Sequence, residues 1–340
     1  MKTIKWHEGM VIDGPCVVSD MPMSVYHGKP AGDDVPSASS SGYRTIWTES
    51  EAHYWGWSPY NPEPFDPKPQ SEALIKGRAG HHLLLGESKF ASQFVIQPEK
   101  YPAADLSMKK WNNNADYCKQ WKNECASKDL TVLTGEIVRH IYGIRDALKD
   151  HPAIQGGILS GAVEQSMFWI DKETGIVERA RPDVIPNDLD FADLKITASV
   201  SDAAIQRSMR DFRYDMQAAM VDEGCRNLFG EPLRTFTLVM AEGKPPYSVR
   251  LIVMTWDDVS IITETGETIK YPSPLKYGRE CMILARRRFK RSWDSGYWPG
   301  PHSTDAIETF QFAPYVMRGI EREIEQAKQD LAIQTYPEAA

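Results

Sequence analysis

Arg181-Pro182-Asp183 is followed eight residues later by Phe191-Ala192-Asp193-Leu194-Lys195-Ile196, and together they gather acidic and basic side chains on an otherwise apolar, strand-like segment. Side chains alternate faces along a strand, so Asp193 and Lys195 project to one side while Ala192, Leu194 and Ile196 form an apolar face on the other. Charge on a segment otherwise suited to burial costs free energy unless something binds there. Asp183 and Asp193 can hold a hard divalent cation through oxygen, and the Lys195 ammonium beside them can orient a water or a phosphate oxygen. The combination reads as metal-assisted phosphodiester hydrolysis. A lone Asp-x-Lys is more often a salt-bridging surface face, and the neighbouring residues distinguish the two.

That neighbourhood predicts strand, glycine-containing turn and strand over Glu164–Ile170, Asp171–Gly175 and Ile176–Arg181. Glu164 opens the first strand and Asp183 closes the second. With Asp193 and Lys195 on a third, three carboxylates and a lysine converge on one end of a small sheet. Ser201 or Asp202 then caps a helix expected to run unbroken to Gly224, with Ile205, Met209, Phe212, Met216 and Ala219 as its buried stripe. Arg210, Arg213, Tyr214 and Gln217 form a polar stripe beside it, whose arginines either contact DNA or make a solvated face. Strands over 234–240 and 247–254 complete an α/β core.

These residues also carry a family resemblance. Arg-Pro-Asp, then Asp-x-Lys-x-Thr at Asp193–Thr197, then a helix bearing Arg213, Tyr214 and Gln217, resemble the core of RecE-type exonucleases (exodeoxyribonuclease VIII), in the RecB-like branch of the PD-(D/E)xK nuclease superfamily. Gly77-Arg78-Ala79-Gly80-His81 and Phe90–Pro98 are similar to the family's histidine helix and the segment after it, and the Met23–His27, Ser39–Ser41 and Trp298-Pro299 regions are similar too. The resemblance spans roughly residues 10–300 and is strongest over 160–225.

It implies a restriction-endonuclease-like α/β core, a central mixed sheet flanked by helices, with helical additions at both ends. It implies further that His81, Asp183 and Asp193 ligate metal with the Leu194 backbone carbonyl, that Lys195 positions the attacking water, and that Glu164 is the additional acidic residue. Mg²⁺ is the expected ion, with Mn²⁺ able to substitute. Gln217 opens a Gln-x-x-x-Tyr motif whose last position is Val221 here, leaving Tyr214 on the adjacent turn as the candidate substitute. The activity implied is removal of one strand of linear duplex DNA, 5′ to 3′, to leave a 3′ single-stranded overhang for recombination. A single-strand annealing partner and a ring-shaped homo-oligomer, a tetramer, come with that resemblance, as does a bacterial or prophage origin. Two alternatives stand beside it: a RecB-like endonuclease or repair nuclease, and a non-catalytic DNA-end-binding recombination module, for which Val221 speaks.

The chain has 340 residues, 41% of them hydrophobic and 10% aromatic, enough to bury a sizeable core. A net charge of −8 argues against coating nucleic acid by bulk electrostatics, so any DNA contact is local. Arg286 and Lys290, four apart in the run Arg286–Arg291, are candidate DNA contacts; internal pairing with the protein's own carboxylates is an equal alternative. Cys16, Cys118, Cys125, Cys225 and Cys281 show no C-x-x-C pattern and no secretory leader precedes them, which predicts reduced thiols in a cytoplasm. The spacing that holds an iron–sulfur cluster in several RecB-like nucleases is lacking, and no apolar run approaches a membrane span.

Three segments are expected: a loop-rich region over 1–70 docked by aromatics, the nuclease domain over 71–300 and a helical extension over 301–340. Ser71–Leu85 reads as a helix despite Gly77 and Gly80, which lower helix propensity by about 1 kcal/mol each and so suggest close approach of another backbone or of DNA. On it His81 and His82 face about 100° apart. Residues 105–128 read as an amphipathic helix with Trp111 and Trp121 inward and lysines in water, and Thr134–Leu148 as a helix buried along Ile137, Ile141, Ile144 and Leu148. Helices are also expected over 275–293 and 311–333.

Overall fold

One antiparallel hairpin passes from one sheet into another, and this crossing positions the rest of the molecule. The computed structural model describes residues 3–65, 71–86, 90–103, 107–187, 189–302 and 311–334. Ala162 pairs with Ile185, Val163 with Val184, Met167 with Ala180 and Ile170 with Val177, so a single register runs the length of the hairpin. Its upper half, Ser166–Ile170 and Val177–Ala180, lies in a five-stranded sheet between Cys16–Ser19 and Ser37–Ser39, with Thr3–Lys5 at the edge. Its lower half, Ala162–Val163 and Val184–Asn187, forms one side of a second five-stranded sheet, continued by Asp190–Thr197, Thr235–Glu242 and Val249–Met254. Pro182, which has no N–H to donate, sits at the transition.

The ends of the hairpin strands differ from expectation for that reason. Glu164 does not open a strand but stands between two, in the left-handed region with φ 52°. Asp183 immediately precedes Val184–Asn187 rather than closing the strand before it.

The second sheet is mixed. Asp190–Thr197 and Thr235–Glu242 pair in parallel over their full length, which requires a crossover between them. Two helices, Asp202–Phe212 and Tyr214–Leu228, supply it where one unbroken helix was expected. Arg213 interrupts them with φ 48° and ψ 53°. Its guanidinium forks onto Asp215 at 2.9 and 2.7 Å. In addition, the Pro274–Ser295 helix packs so closely that a Cβ on Gly278 would lie 2.2 Å from the Asp215 carbonyl oxygen. These tertiary contacts override the helical preference of the local sequence.

Each face of the second sheet has its own core. Phe191, Phe236, Leu238 and Met240 pack with Met216 and Met220 of the crossover helix, Met282 and Phe289 of Pro274–Ser295, and Tyr43 and Ile46 of the Ser40–Thr48 helix. Ala192, Leu194, Val239 and Ala241 pack on the other side against Ile144 and Leu148 of the Gly135–Lys149 helix, which buries Ile137 and Ile141 as well. The full burial of such side chains, at about 1.5–3 kcal/mol each, holds the Asp190–Thr197 strand between two layers of helix.

Within that first core Arg286 is 5% exposed and bound to Asp171, Glu178 and Glu223 at 2.7–2.8 Å, with the Tyr43 hydroxyl donating to Glu178 at 2.7 Å. The expectation of Arg286 on a DNA-contacting surface is corrected: its carboxylate partners come from distant segments and enclose it. The rest of the run follows suit, since Arg287 meets Glu173, Arg288 and Arg291 meet Glu51, and Lys290 meets Asp294. The lysine and tryptophan segment also differs. Lys109 and Lys110 lie on the short strand Met108–Lys110, and the helix begins only at Asp116. Trp111 and Trp121 meet edge to face at 5.2 Å.

Residues 3–57 hold three strands and three helices, tied to the remainder by Trp55 stacked on Trp298 at 4.7 Å and Tyr54 against Phe289 at 5.2 Å. The chain divides into two compact units, Met1–Pro301 and His302–Ala340. In the second, Pro314–Gln334 is a helix with no buried residue among its described side chains. Among the described residues no helix is long and apolar enough to cross a membrane.

Candidate active site

Alternation along Asp190–Thr197 sends Asp193 and Lys195 toward the crossover helices and Leu194 into the opposite core. Asp193 is only 1% exposed. One of its carboxylate oxygens accepts from Gln217 Nε2 at 2.7 Å, and the other is ion-paired with Lys195 Nζ. Burial works against the Lys195 charge, but the Asp193 and Asp183 carboxylates outweigh it and push the pKa above its ordinary value. The ammonium also sits 5.2 Å from the centre of the Tyr214 ring.

Asp183 reaches the same place from the hairpin. Its Oδ2 accepts from the Leu194 N–H at 2.7 Å and lies 3.4 Å from His81 Nδ1. Burial, reinforced by repulsion from Asp193, raises its pKa to about 6 against the pull of His81, Lys195 and the Leu194 N–H. A strand residue's N–H and C=O point to the same side, so the Leu194 carbonyl is directed toward Asp183 as well.

His81 is delivered by the Glu72–Leu84 helix, capped by the Ser71 hydroxyl accepting from Leu74 N–H at 3.2 Å. Gly80 explains how near that helix comes, because a Cβ there would lie 2.4 Å from Ile196 Cδ1. Gly77 meets nothing within 4 Å and opens onto the cleft. His81 therefore faces Asp183, whereas His82 turns edge-on to Phe94 at 5.3 Å.

Glu164 is held across the hairpin by Arg181, whose Nε lies 2.7 Å from the carboxylate and donates to the Glu164 carbonyl at 3.1 Å. Arg181 also donates to the Met21 carbonyl at 2.8 Å, so it ties the hairpin bend to the N-terminal segment. His81, Glu164 and Asp183 each bring one ligand atom to within 4.8 Å of the others. Carboxylate oxygens with one imidazole suit a divalent cation such as Mg²⁺ or Mn²⁺. Among the described residues no hydrogen-bond partner meets the buried Gln217 Oε1 beside this cluster, a further polar atom left for something bound. The residues fit a metal.

A cleft of about 1020 Å³ opens over the cluster, with Met21, Met23 and His27 on one wall, Gly77 and His81 on the other, and Glu164 and Lys195 within it. The remaining sequence candidates are placed differently. Exposed Arg210 pairs with Asp211, Arg213 is engaged by Asp215, and Arg286 and Lys290 belong to the carboxylate pairs described above. Val221 is 2% exposed in the core, while Tyr214 is the aromatic that reaches Lys195.

Arg44 joins these residues without any motif around it. It donates to the Phe212 carbonyl at 2.8 Å, and burial lowers its pKa while the charges of Asp193, Tyr214 and Asp215 oppose that. Its position on Ser40–Thr48 carries no local signal, since the packing of that helix on Tyr214–Leu228 brings it here. Arg181 did stand in the motif, but its clamp on Glu164 follows from the hairpin register rather than from spacing.

A family model described as a PDDEXK-like domain of unknown function (DUF3799) matches residues 39–270, more than half of the chain. The chain belongs to that family. The matched range takes in His81, Glu164, Asp183, Asp193, Lys195 and Gln217, and it places this PDDEXK-like protein in the PD-(D/E)xK nuclease superfamily, whose members use divalent metals. A crystal structure of a "Putative exonuclease" from Eubacterium rectale shares the fold, with a TM-score of 0.52 and 15% identity over 86% of this chain and 96% of that one. None of the curated proteins matches. The mixed sheet flanked by helices is thus the PD-(D/E)xK core expected from the sequence.

Proposed function

We propose that this PDDEXK-like protein is a metal-dependent exodeoxyribonuclease of the RecE type, degrading one strand of linear duplex DNA from its end, 5′ to 3′, to leave a 3′ single-stranded overhang for recombination. The observation that carries the reading is the meeting of His81, Glu164 and Asp183 at one point, with the Asp193–Lys195 pair joined to it through the Leu194 N–H. The polarity, the annealing partner, the ring assembly and the bacterial or phage cytoplasm rest on the resemblance of the Arg181–Asp183 and Asp193–Thr197 motifs to that family.

Mg²⁺ bound by His81, Glu164 and Asp183, and by Asp193 and the Leu194 carbonyl, would lower the pKa of a water and stabilise charge on the scissile phosphate. Lys195, kept charged by the two aspartates, orients the attacking water. Gln217 fixes the Asp193 carboxylate so that the lysine keeps its place, and the Tyr214 ring confines the ammonium on another side. Arg181 holds Glu164 in a backbone conformation it would otherwise leave. With an overall charge of −8, DNA is attracted by local cations alone.

Linear duplex labelled at either 5′ or 3′ end, compared with covalently closed circular duplex in Mg²⁺, tests the reading. Early loss of the 5′ label with the circle intact supports it. Cutting of the circle at a similar rate makes the protein an endonuclease, and no cutting of either leaves a DNA-binding module.

A further inference from the structure

We propose that Phe212 and Tyr214 form a stacking platform for an unpaired nucleobase of the cut strand, next to the phosphate addressed by Asp193 and Lys195; this rests on the nuclease reading above. The spacing of Ile205, Met209 and Phe212 puts Phe212 on the buried stripe of a continuous helix. Instead its side is turned outward and the residue is 57% exposed.

Phe212 is the last residue of its helix, and the chain turns away directly after it through a left-handed backbone at Arg213, a conformation uncommon for a residue with a side chain. Two arginines on different elements hold it there: Arg213 through its fork on Asp215, and Arg44 through the Phe212 carbonyl. A strained turn fixed from two sides, next to an aromatic ring that stands in solvent and stacks on the ring meeting Lys195, points to an occupant for that ring.

The chemistry of the occupant follows from the neighbours. Phe212 stacks on Tyr214 with ring centres 5.7 Å apart and planes at 29°, and the same Tyr214 ring carries Lys195 Nζ at 5.2 Å. An aromatic column therefore runs from the catalytic ammonium to solvent, with the Arg44 guanidinium at its side. A flat apolar face beside cations matches a nucleotide, whose base stacks while its phosphate takes the charge. Stacking serves every base alike, which suits an enzyme that must advance along any sequence. A base inside a duplex has both faces covered by its neighbours, so the platform receives a strand whose end has opened.

The test uses the full chain, with Ca²⁺ replacing Mg²⁺, and single-stranded oligonucleotides carrying 2-aminopurine or an abasic residue at each position in turn. Wild-type protein is expected to quench 2-aminopurine at one position near the bound end, and an abasic residue there should weaken binding about tenfold. Phe212→Ala should abolish the quenching and the abasic effect together, without lowering Tm, and Phe212→Tyr should restore both. An abasic penalty that persists undiminished in Phe212→Ala, or quenching independent of Phe212, overturns the platform. Cleavage of DNA in Mg²⁺ without any Phe212-dependent coupling sinks the platform alone, whereas Phe212-dependent quenching without cleavage sinks the nuclease reading alone.

Discussion

Glu164 and Asp183 face each other across one hairpin, with the Glu164 N–H donating to the Asp183 carbonyl at 3.0 Å. The register that pairs Val163 with Val184 and Met167 with Ala180 makes them partners across the hairpin, and their carboxylates come within 4.8 Å. Two carboxylates 19 residues apart in the chain thus meet through backbone geometry, at the bend where the hairpin changes sheets. His81 then approaches from the outside.

Metal-free protein should become less stable as pH rises, because of Asp183. Its pKa is about 6 in the fold against 3.8 as the ordinary value. Below pH 3.8 both states are protonated and the site costs nothing. Between 3.8 and 6 the unfolded chain releases the proton that the fold retains, so stability falls as pH rises, and above 6 the whole cost, at most about 3 kcal/mol, is present. Asp183→Asn keeps the acceptor for Leu194 N–H and removes the charge. In EDTA it should melt higher than wild type at pH 8 and equally near pH 4, and Mg²⁺ should raise the wild-type Tm more at pH 8 than at pH 5. Equal melting of the two proteins at pH 8 contradicts this.

The two neighbouring histidines should separate cleanly. His81→Ala should weaken Mn²⁺ binding by at least about tenfold, the cost already incurred when only a ligand's hydrogen-bond partner is lost, and His82→Ala should leave it nearly unchanged, because His82 faces Phe94. Calorimetric titration of each variant with Mn²⁺ reads the ranking. The reverse order moves the site to the other face of the helix.

Arg286→Met should cost stability rather than DNA affinity. Removing one member of a buried ion network strands its partners, here Asp171, Glu178 and Glu223, at about 3–5 kcal/mol. Each lysine or arginine on a phosphate contributes about 0.9 to the slope of log affinity against log salt. That slope should not change in Arg286→Met, while denaturant unfolding shows the loss. A slope lowered by about 0.9 with unaltered stability would return Arg286 to the DNA.

Gly278→Ala should loosen the start of the Tyr214–Leu228 helix, since the added methyl meets the Asp215 backbone rather than a yielding side chain. Overpacking of this kind costs about 1–3 kcal/mol. A drop in Tm accompanied by weaker cleavage is expected, because Gln217 lies on that helix. An unchanged Tm would show that the contact relaxes freely.

Local periodicity made several parts of this molecule legible. Asp193 and Lys195 share a face because a strand has period two, and Ile137, Ile141, Ile144 and Leu148 share one buried helix face, divided between two cores, because a helix has period near 3.6. What stayed hidden is tertiary. The break at Arg213 needs Asp215 and the packing against Gly278, and no local residue choice announces it. The basic run gives no hint that the Arg286 partners lie 115 and 63 residues away. Arg44 joins the site only through helix packing, and the left-handed Glu164 only through the change of sheet.

Metal-dependent hydrolysis by Asp193 and Lys195 is read out by single-turnover cleavage of 5′-labelled linear duplex in Mg²⁺, compared between wild type and Lys195→Ala. Wild type should release the label and stop in EDTA, and the variant should lose a factor on the order of 10² or more at a Tm within a few degrees of wild type. Equal rates for the two folded proteins, or cleavage that persists in EDTA, would contradict it.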